Sequence, residues 1–600
     1  MRKSILALVL SFSLLNAFSQ DKRIEGLDSF INRLLKDYKA AGLAIAIVEK
    51  NKIVLLKGYG YRDLEKKIPV NDETLFAIGS CTKAFTSSLL GILSQENKLD
   101  IDKPVFNYLP ELRFYNEGLS EQVTTRDMMS HRTGLPRHDY SWYGSSVGRD
   151  SLLRRIRYFE PSAPLREKWQ YNNFMFLAQG MLSEKISGKK WETLLSEKIF
   201  TPLGMTNSST SISALENSSN ASVGYRVKND SIIMRMKYMN IDAIGPAGSI
   251  NSNVKDMAKW VTTWIYGGKY NGKEIIPASY AIQAISSQMV IGAGLPSAES
   301  PDLQFSNYGL AWFLSSYRGH YRVEHGGNID GFSANTSFFP TDSIGIVILT
   351  NQNGSSLPSI IRNTITDKML KLPYRNWDKI IRTQINKSKE AATTRQNSDS
   401  LNRKLGTKPS HAISDYEGRY NNDGYGTVVI TRAGDSLGAS FNTIKLRLRH
   451  YHYDIFNAWV LDESNEVEPQ QDPQKFRFEM NNKGDIQTLA LSLESSVADI
   501  RFTKEITSIS IKKEDLEKYV GEYELSGVKP KVYLKNDSTL ALLVPGQPEY
   551  ELIPVKQDEF NLKNASGFSC RFLWNDKKEI DAVQFNQPNG VFKATKIKAK

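Results

Sequence analysis

The sequence predicts an α+β fold: a large N-terminal domain built on an antiparallel sheet flanked by helices, with a helical subdomain, followed by two small all-β, barrel-like modules. Three observations predict it. Two apolar runs, residues 42–48 and 52–60, are separated only by Glu49-Lys50-Asn51, the spacing of a β-hairpin. Later strand-like runs at 308–313, 321–328, 333–339 and 344–350 follow one another closely, which implies one antiparallel sheet that includes the early hairpin. Near the C-terminus Asp415-Tyr416-Glu417-Gly418-Arg419-Tyr420 is echoed roughly 100 residues on by Lys518-Tyr519-Val520-Gly521-Glu522-Tyr523, with short alternating strands after each copy.

In chain order, the N-terminus reads as a targeting segment. Arg2 and Lys3 precede an apolar run over 5–15, and Ala17-Phe18-Ser19 offers small residues for cleavage. The run is too short to span a bilayer comfortably. No cysteine lies near the cleavage point to carry a lipid, so the expectation is a periplasmic or secreted chain with no stable membrane insertion. Length suggests about four domains as a prior. The divisions expected are a signal peptide over 1–19, the main domain over 20–370, a polar helical linker over 371–410, and β-modules over 411–506 and 507–600.

With 40% hydrophobic and 24% charged residues, the composition is that of a globular protein. A net charge of +12 suits anionic surroundings such as a bacterial envelope. The 77 basic residues are interleaved with 65 acidic ones, and only Lys593, Lys596, Lys598 and Lys600 cluster, so no nucleic-acid partner is expected. Two cysteines, Cys81 and Cys570, cannot make a disulfide framework. Cys81 reads as a small buried filler. His450 and His452, near Asp454, alternate on a strand but lack a third strong ligand, so no metal and no cofactor is expected.

The chemistry is centred on residues 75–93. Gly79 breaks an apolar run, and Ala84, Phe85, Leu89, Ile92 and Leu93 then follow helical spacing. Ser80 falls at the start of that helix with Lys83 three residues on, so their side chains meet on one face. A serine hydroxyl needs a neighbour to take its proton, and a lysine in a dry site can be that neighbour. Ser-x-x-Lys recurs at Ser187, Ser252, Ser510 and Ser526, and none of those copies opens a strongly apolar helix. Tyr171-Asn172-Asn173 opens a second helical pattern, placing a phenol and an amide on one side of a turn. His131, just before Thr133-Gly134, reads as a histidine that bonds backbone. After His325, Gly326 and Gly327 remove side chains where a substrate backbone could lie along a strand.

Ser80-Cys81-Thr82-Lys83, Tyr171-Asn172-Asn173 and His325-Gly326-Gly327 stand in the order and rough spacing of the three motifs of the penicillin-recognising serine hydrolases, and residues 24–370 resemble that family. The branch most similar is that of class C β-lactamases, D-alanyl-D-alanine carboxypeptidases, D-aminopeptidases and related esterases. The resemblance implies that Ser80 is acylated, that Lys83 and Tyr171 share its proton, and that Asn173 binds the substrate amide. It also implies that His325, Gly326 and Gly327 line the cleft and that the backbone N–H groups of Ser80 and Asn328 form the oxyanion hole. The β-lactamase members carry Lys-Thr-Gly in the third motif. Histidine in its place shifts the expectation towards peptidases, amidases or esterases.

The resulting expectation is an exported serine hydrolase acting through an acyl-enzyme on small-molecule or peptide substrates, D-amino-acid-containing or cell-wall-derived peptides among them. A β-lactamase and a small-ester esterase are the alternatives within the enzymes. A penicillin-binding sensor and an envelope-binding protein are the non-enzyme alternatives. The β-modules resemble the lipocalin-like modules often appended to this family. Oligomeric state is not legible.

Overall fold

The computed structural model describes residues 21–292, 296–297, 301–467, 472–505, 508–563, 565 and 567–598. The expected signal segment, 1–19, lies outside them. The chain divides into two compact units, residues 1–417 with 421–502, and residues 418–420 with 503–600. Among the described residues no helix is long and apolar enough to cross a membrane.

A nine-stranded sheet organises the first unit. Its strands are β1 (Gly42–Glu49), β2 (Lys52–Asp63), β3 (Ile68–Pro69), β4 (Met289–Val290), β5 (Ser306–Tyr308), β6 (Phe313–Tyr317), β7 (His320–Ile329), β8 (Phe332–Phe339) and β9 (Ile344–Thr350), in the order β4-β5-β6-β7-β8-β9-β1-β2-β3. Every pairing in it is antiparallel, and Leu43 to Glu49 pair with Thr350 to Ile344, so the early hairpin joins the late strands as its spacing implies. Lys50 and Asn51, at φ 46° and 58°, supply the two left-handed residues of the hairpin turn.

β1 is buried on both faces, which is why it reads as a continuous apolar run and not as an alternation. On one side Leu43, Ile45 and Ile47 join Ile346 and Ile348 under α1 (Leu27–Asp37) and α5 (Leu357–Met369). α4 (Val254–Ile265) also packs against β1 and β9. Each fully buried aliphatic side chain there is worth about 1.5–3 kcal/mol.

α2 (Thr82–Gln95) is buried all round from Thr82 to Leu93, more than its one apolar face suggests. Its polar face survives burial because its hydroxyls are partnered: Thr82 Oγ1 accepts from Ile250 N–H, Thr86 Oγ1 donates to Pro246 O, Ser87 Oγ to Gln179 Oε1 and Ser88 Oγ to Ala84 O. Phe85 stacks on Trp260 with ring centroids 3.8 Å apart.

The run 308–313 differs from the single strand its sequence suggests. β5 stops at Tyr308 and β6 starts at Phe313. Between them Gly309 lies so close to the chain that a Cβ would come within 2.0 Å of Ala284 O, Ala311 takes φ 65°, and its N–H donates to Met129 O. Packing against neighbouring segments overrides the apolar pattern.

Beyond α6 (Trp377–Asn402) come two closed eight-stranded antiparallel barrels, from Gly418–Asn422 to Ile500–Lys504 and from Gly521–Glu524 to Gly590–Lys596. The sequence repeat is structural. Tyr416, Tyr420, Tyr519 and Tyr523 are buried, and a Cβ on Gly418 or Gly521 would come within 2.8 Å of Lys504 Cε or 2.6 Å of Lys596 Cε. In the second barrel Tyr519 and Tyr523 join Phe560, Phe572 and Phe585 in one core.

His450 and His452 lie on the strand Ile444–His452, whose pairing is irregular between them. His450 Nε2 donates to Tyr453 O and His452 Nδ1 accepts from Lys404 N–H, so these rings are engaged with backbone.

Candidate active site

Ser80 sits in a single 3-10 turn, Gly79–Cys81, that feeds directly into α2. Gly79 takes φ 51°, a left-handed conformation that glycine adopts at no steric cost. Its position also has no room for a side chain, because a Cβ there would approach Asn328 N to 2.8 Å. A Cβ on Gly327 would lie 1.9 Å from Ile78 O and 3.0 Å from Ser80 N. The turn and β7 therefore press backbone against backbone, which sets the Asn328 backbone beside the Ser80 turn.

Lys83 is fully buried, its Nζ 3.0 Å from Ser80 Oγ, 2.7 Å from Asn173 Oδ1 and 2.8 Å from Ala247 O. Burial, helped by the nearby Arg137 charge, drives its pKa well below the ordinary lysine value. A neutral amine has two N–H bonds and one lone pair. Asn173 Oδ1 and Ala247 O can only accept, so they take two N–H groups, and the remaining position of Nζ faces the Ser80 hydroxyl, where the neutral amine would present its lone pair. The Asn173 amide is itself fixed, since its Nδ2 donates to Asp139 Oδ1 at 2.8 Å. Asp139 also receives Trp142 Nε1 and Arg137 Nε, each at 2.6 Å.

Tyr171 precedes α3 (Phe174–Ser187), and its phenol faces Ser80. Burial pushes its phenol pKa up, against the pull of Ser80 and of the Arg137 guanidinium, which lies 4.8 Å from the ring centroid. Two groups thus meet Ser80 with opposite tendencies, an amine pushed towards losing its extra proton and a phenol pushed towards keeping its own. Behind Tyr171, the His131 ring packs with centroids 4.4 Å apart, and His131 Nδ1 accepts the Asn172 N–H at 3.2 Å.

His325 is buried on β7. Its Nδ1 lies 2.6 Å from Gly326 O, which can only accept, so Nδ1 carries the proton and Nε2 accepts from the Tyr308 hydroxyl at 3.0 Å. Burial and the neighbouring Lys83 push its pKa down to about 3, and the ring stays neutral. The Cys81 thiol donates to His325 O at 3.1 Å, and burial raises its pKa to about 12, so no thiolate forms beside Ser80.

The structure therefore brings Ser80, Tyr171, His325, Gly326, Gly327 and Asn328 to the lining of one cleft of about 900 Å³, with Lys83 and Asn173 buried behind Ser80. Arg137, Trp169 and, from the first barrel, Glu494, Ser495 and Ser496 line it too. Arg137, Asp139, the Ala247 carbonyl, Tyr308 and Glu494 were not legible as site residues. Arg137 and Asp139 follow Thr133-Gly134-Leu135-Pro136 closely, but nothing local marks them, and a backbone carbonyl leaves no sequence signal.

The Beta-lactamase family model matches residues 27–367. The chain belongs to the β-lactamase family. A second family, described as a domain of unknown function (DUF3471), matches residues 402–504. Among relatives of this β-lactamase-family chain, Unguisins hydrolase ungD' of Aspergillus campestris is 32% identical over 335 residues, 54% of this chain and 60% of the relative. Unguisins hydrolase ungD of Aspergillus violaceofuscus is 27% identical over 463 residues, 71% of this chain and 81% of the relative. An octameric penicillin-binding protein homologue from Pyrococcus abyssi superposes with a TM-score of 0.53 at 21% identity, over 80% of this chain and 99% of that one, which speaks to the fold.

Proposed function

We propose that this chain is an exported serine hydrolase that cleaves amide or ester bonds through an acyl-enzyme on Ser80, with D-amino-acid-containing peptides or related compounds, including cell-wall-derived ones, as its substrates. The observation that carries the reading is a fully buried Lys83 whose Nζ lies 3.0 Å from the Ser80 hydroxyl and whose pKa burial drives down. The names of the fungal relatives support hydrolysis, and the N-terminal segment supports export.

Ser80 Oγ attacks the substrate carbonyl carbon while Lys83 Nζ takes its proton. The oxyanion that develops is stabilised by the N–H groups of Ser80 and Asn328, a donor in such a hole being worth about 3–4 kcal/mol. As the tetrahedral intermediate collapses, the leaving group takes a proton from the Tyr171 phenol, and the phenolate regains one from the Lys83 ammonium. Water then attacks the acyl carbonyl, its proton passing to the same pair, and Ser80 leaves with a proton restored. Asn173 positions the substrate amide and holds Lys83 in place.

A neutral His325 offers no permanent cation for a β-lactam carboxylate, which favours peptide amides and esters. The cation closest to Tyr171 in the cleft is Arg137. The divisions at residues 19, 370, 410 and 506 are part of this reading.

Steady-state hydrolysis of a D-amino-acid p-nitroanilide, a short-chain p-nitrophenyl ester and a chromogenic cephalosporin tests it. The anilide or ester turns over faster than the cephalosporin. A preference for the cephalosporin overturns the substrate assignment.

A further inference from the structure

Resting on the acyl-enzyme reading above, we propose that the first barrel is a working part of the active site: it clamps the loop 138–144 that orients Asn173 through Asp139, and Glu494 is a positioning residue that closes the cleft from the barrel side.

The barrel grips this loop at four places. Tyr425 Oη meets His138 Nδ1 at 2.6 Å, and the Ser141 hydroxyl donates to Gly424 O at 2.6 Å. Asn442 Nδ2 donates to Tyr140 O at 3.2 Å and to Tyr143 O at 3.0 Å. Gly144 lies against Thr443, where a Cβ would come within 2.1 Å of Oγ1. Glu494 completes the grip, its carboxyl facing the backbone N–H groups of His138 and Asp139. From there a continuous chain reaches the reacting atoms: Asp139 Oδ1 accepts from Asn173 Nδ2, Asn173 Oδ1 accepts from Lys83 Nζ, and Lys83 meets Ser80 Oγ. Interactions this close convert a small loop shift into a misdirected lone pair.

The groups around Glu494 are unequal. Asp139 repels its charge, Arg137 attracts it, and the phenols of Tyr140 and Tyr425 share the site. Burial and Asp139 together raise its pKa to about 7 against the pull of the two N–H groups. The carboxyl therefore changes charge within the working pH range while it faces the loop.

The test compares wild type, Glu494→Ala, Glu494→Gln and Tyr425→Phe in the full chain. Two readouts are used: the rate at which a fluorophosphonate probe labels Ser80 across about pH 5 to 9, and amide hydrogen exchange of residues 137–144. Glu494→Ala slows labelling by about tenfold or more and speeds exchange in the loop. Glu494→Gln, which keeps a carbonyl acceptor, recovers labelling to within about threefold and loses the inflection near pH 7. Tyr425→Phe speeds loop exchange with the barrel intact. Wild-type labelling together with unchanged exchange in Glu494→Ala overturns the proposal, and so does a loss that Gln does not rescue and that tracks a fall in Tm. If wild type is not labelled at Ser80, the hydrolase reading falls while loop exchange still decides the clamp: faster exchange in the Ala variant supports it and unchanged exchange overturns it.

Discussion

Burial drives the Lys83 pKa well down while two carbonyl oxygens take its N–H groups, so its titration should be visible in both activity and stability. The unfolded chain binds a proton on this lysine up to about 10.5 and the folded chain releases it earlier, so stability rises with pH between the lowered pKa and 10.5. Lys83→Met removes that slope. In denaturant titrations the balance between wild type and variant moves in favour of wild type as pH rises from about 7 to 9.5. In the opposite direction, acylation by wild type falls as pH drops through the lowered pKa and the amine gains a proton. Tyr171→Phe keeps the ring and loses the phenolic proton, and kcat/KM is expected to fall by about 10²–10⁴ at unchanged Tm. The sequence carried Ser80, Lys83, Tyr171 and Asn173 because each opens a helix in a recognisable run. It could not carry the groups that set their protonation, since Asp139, the Ala247 carbonyl and Tyr308 approach only through tertiary packing.

Each element that meets at the cleft fixes a backbone position. β7 crosses the Gly79–Cys81 turn so closely that Gly327→Ala, with its Cβ 1.9 Å from Ile78 O, must displace the Ser80 N–H. That variant is expected to lose acylation by about 10²-fold or more, read by active-site labelling, while far-UV circular dichroism stays native. The barrel segment carrying Glu494 gives a second prediction of known sign. Its folded pKa of about 7 lies above the ordinary 4.5, so the folded state binds the proton more tightly and stability falls as pH rises through that window. Glu494→Gln escapes this loss, so its Tm exceeds that of wild type at about pH 8 and the advantage vanishes near pH 4.5. At this scale the hairpin at Lys50-Asn51 and the barrel repeat were legible, since turn chemistry and repetition are local signals. The break between Tyr308 and Phe313 was not, because it is imposed by the backbones of Ala284 and Met129.

The two compact units have their own contacts and, in the second, a separate core around Tyr519, Tyr523 and Phe572. Calorimetry of the full chain is therefore expected to depart from a two-state transition, with a measured enthalpy above the van't Hoff value. Acylation of Ser80 should raise the transition of the first unit and leave that of the second unchanged. The antiparallel sheet and the β-rich C-terminus were predictable from periodicity. The loop of the first barrel lining the cleft was not, because Glu494 and Ser80 are remote in sequence and no local pattern links them. The central claim is that Ser80 is acylated with Lys83 as its base, and time-resolved intact-protein mass spectrometry tests it most directly, using a fluorescent penicillin and a short-chain p-nitrophenyl ester on wild type and Ser80→Ala. The account predicts an adduct on wild type that forms, maps to Ser80 and decays, and no adduct on the variant. Equal turnover by Ser80→Ala, or an adduct that persists in it, would contradict the account.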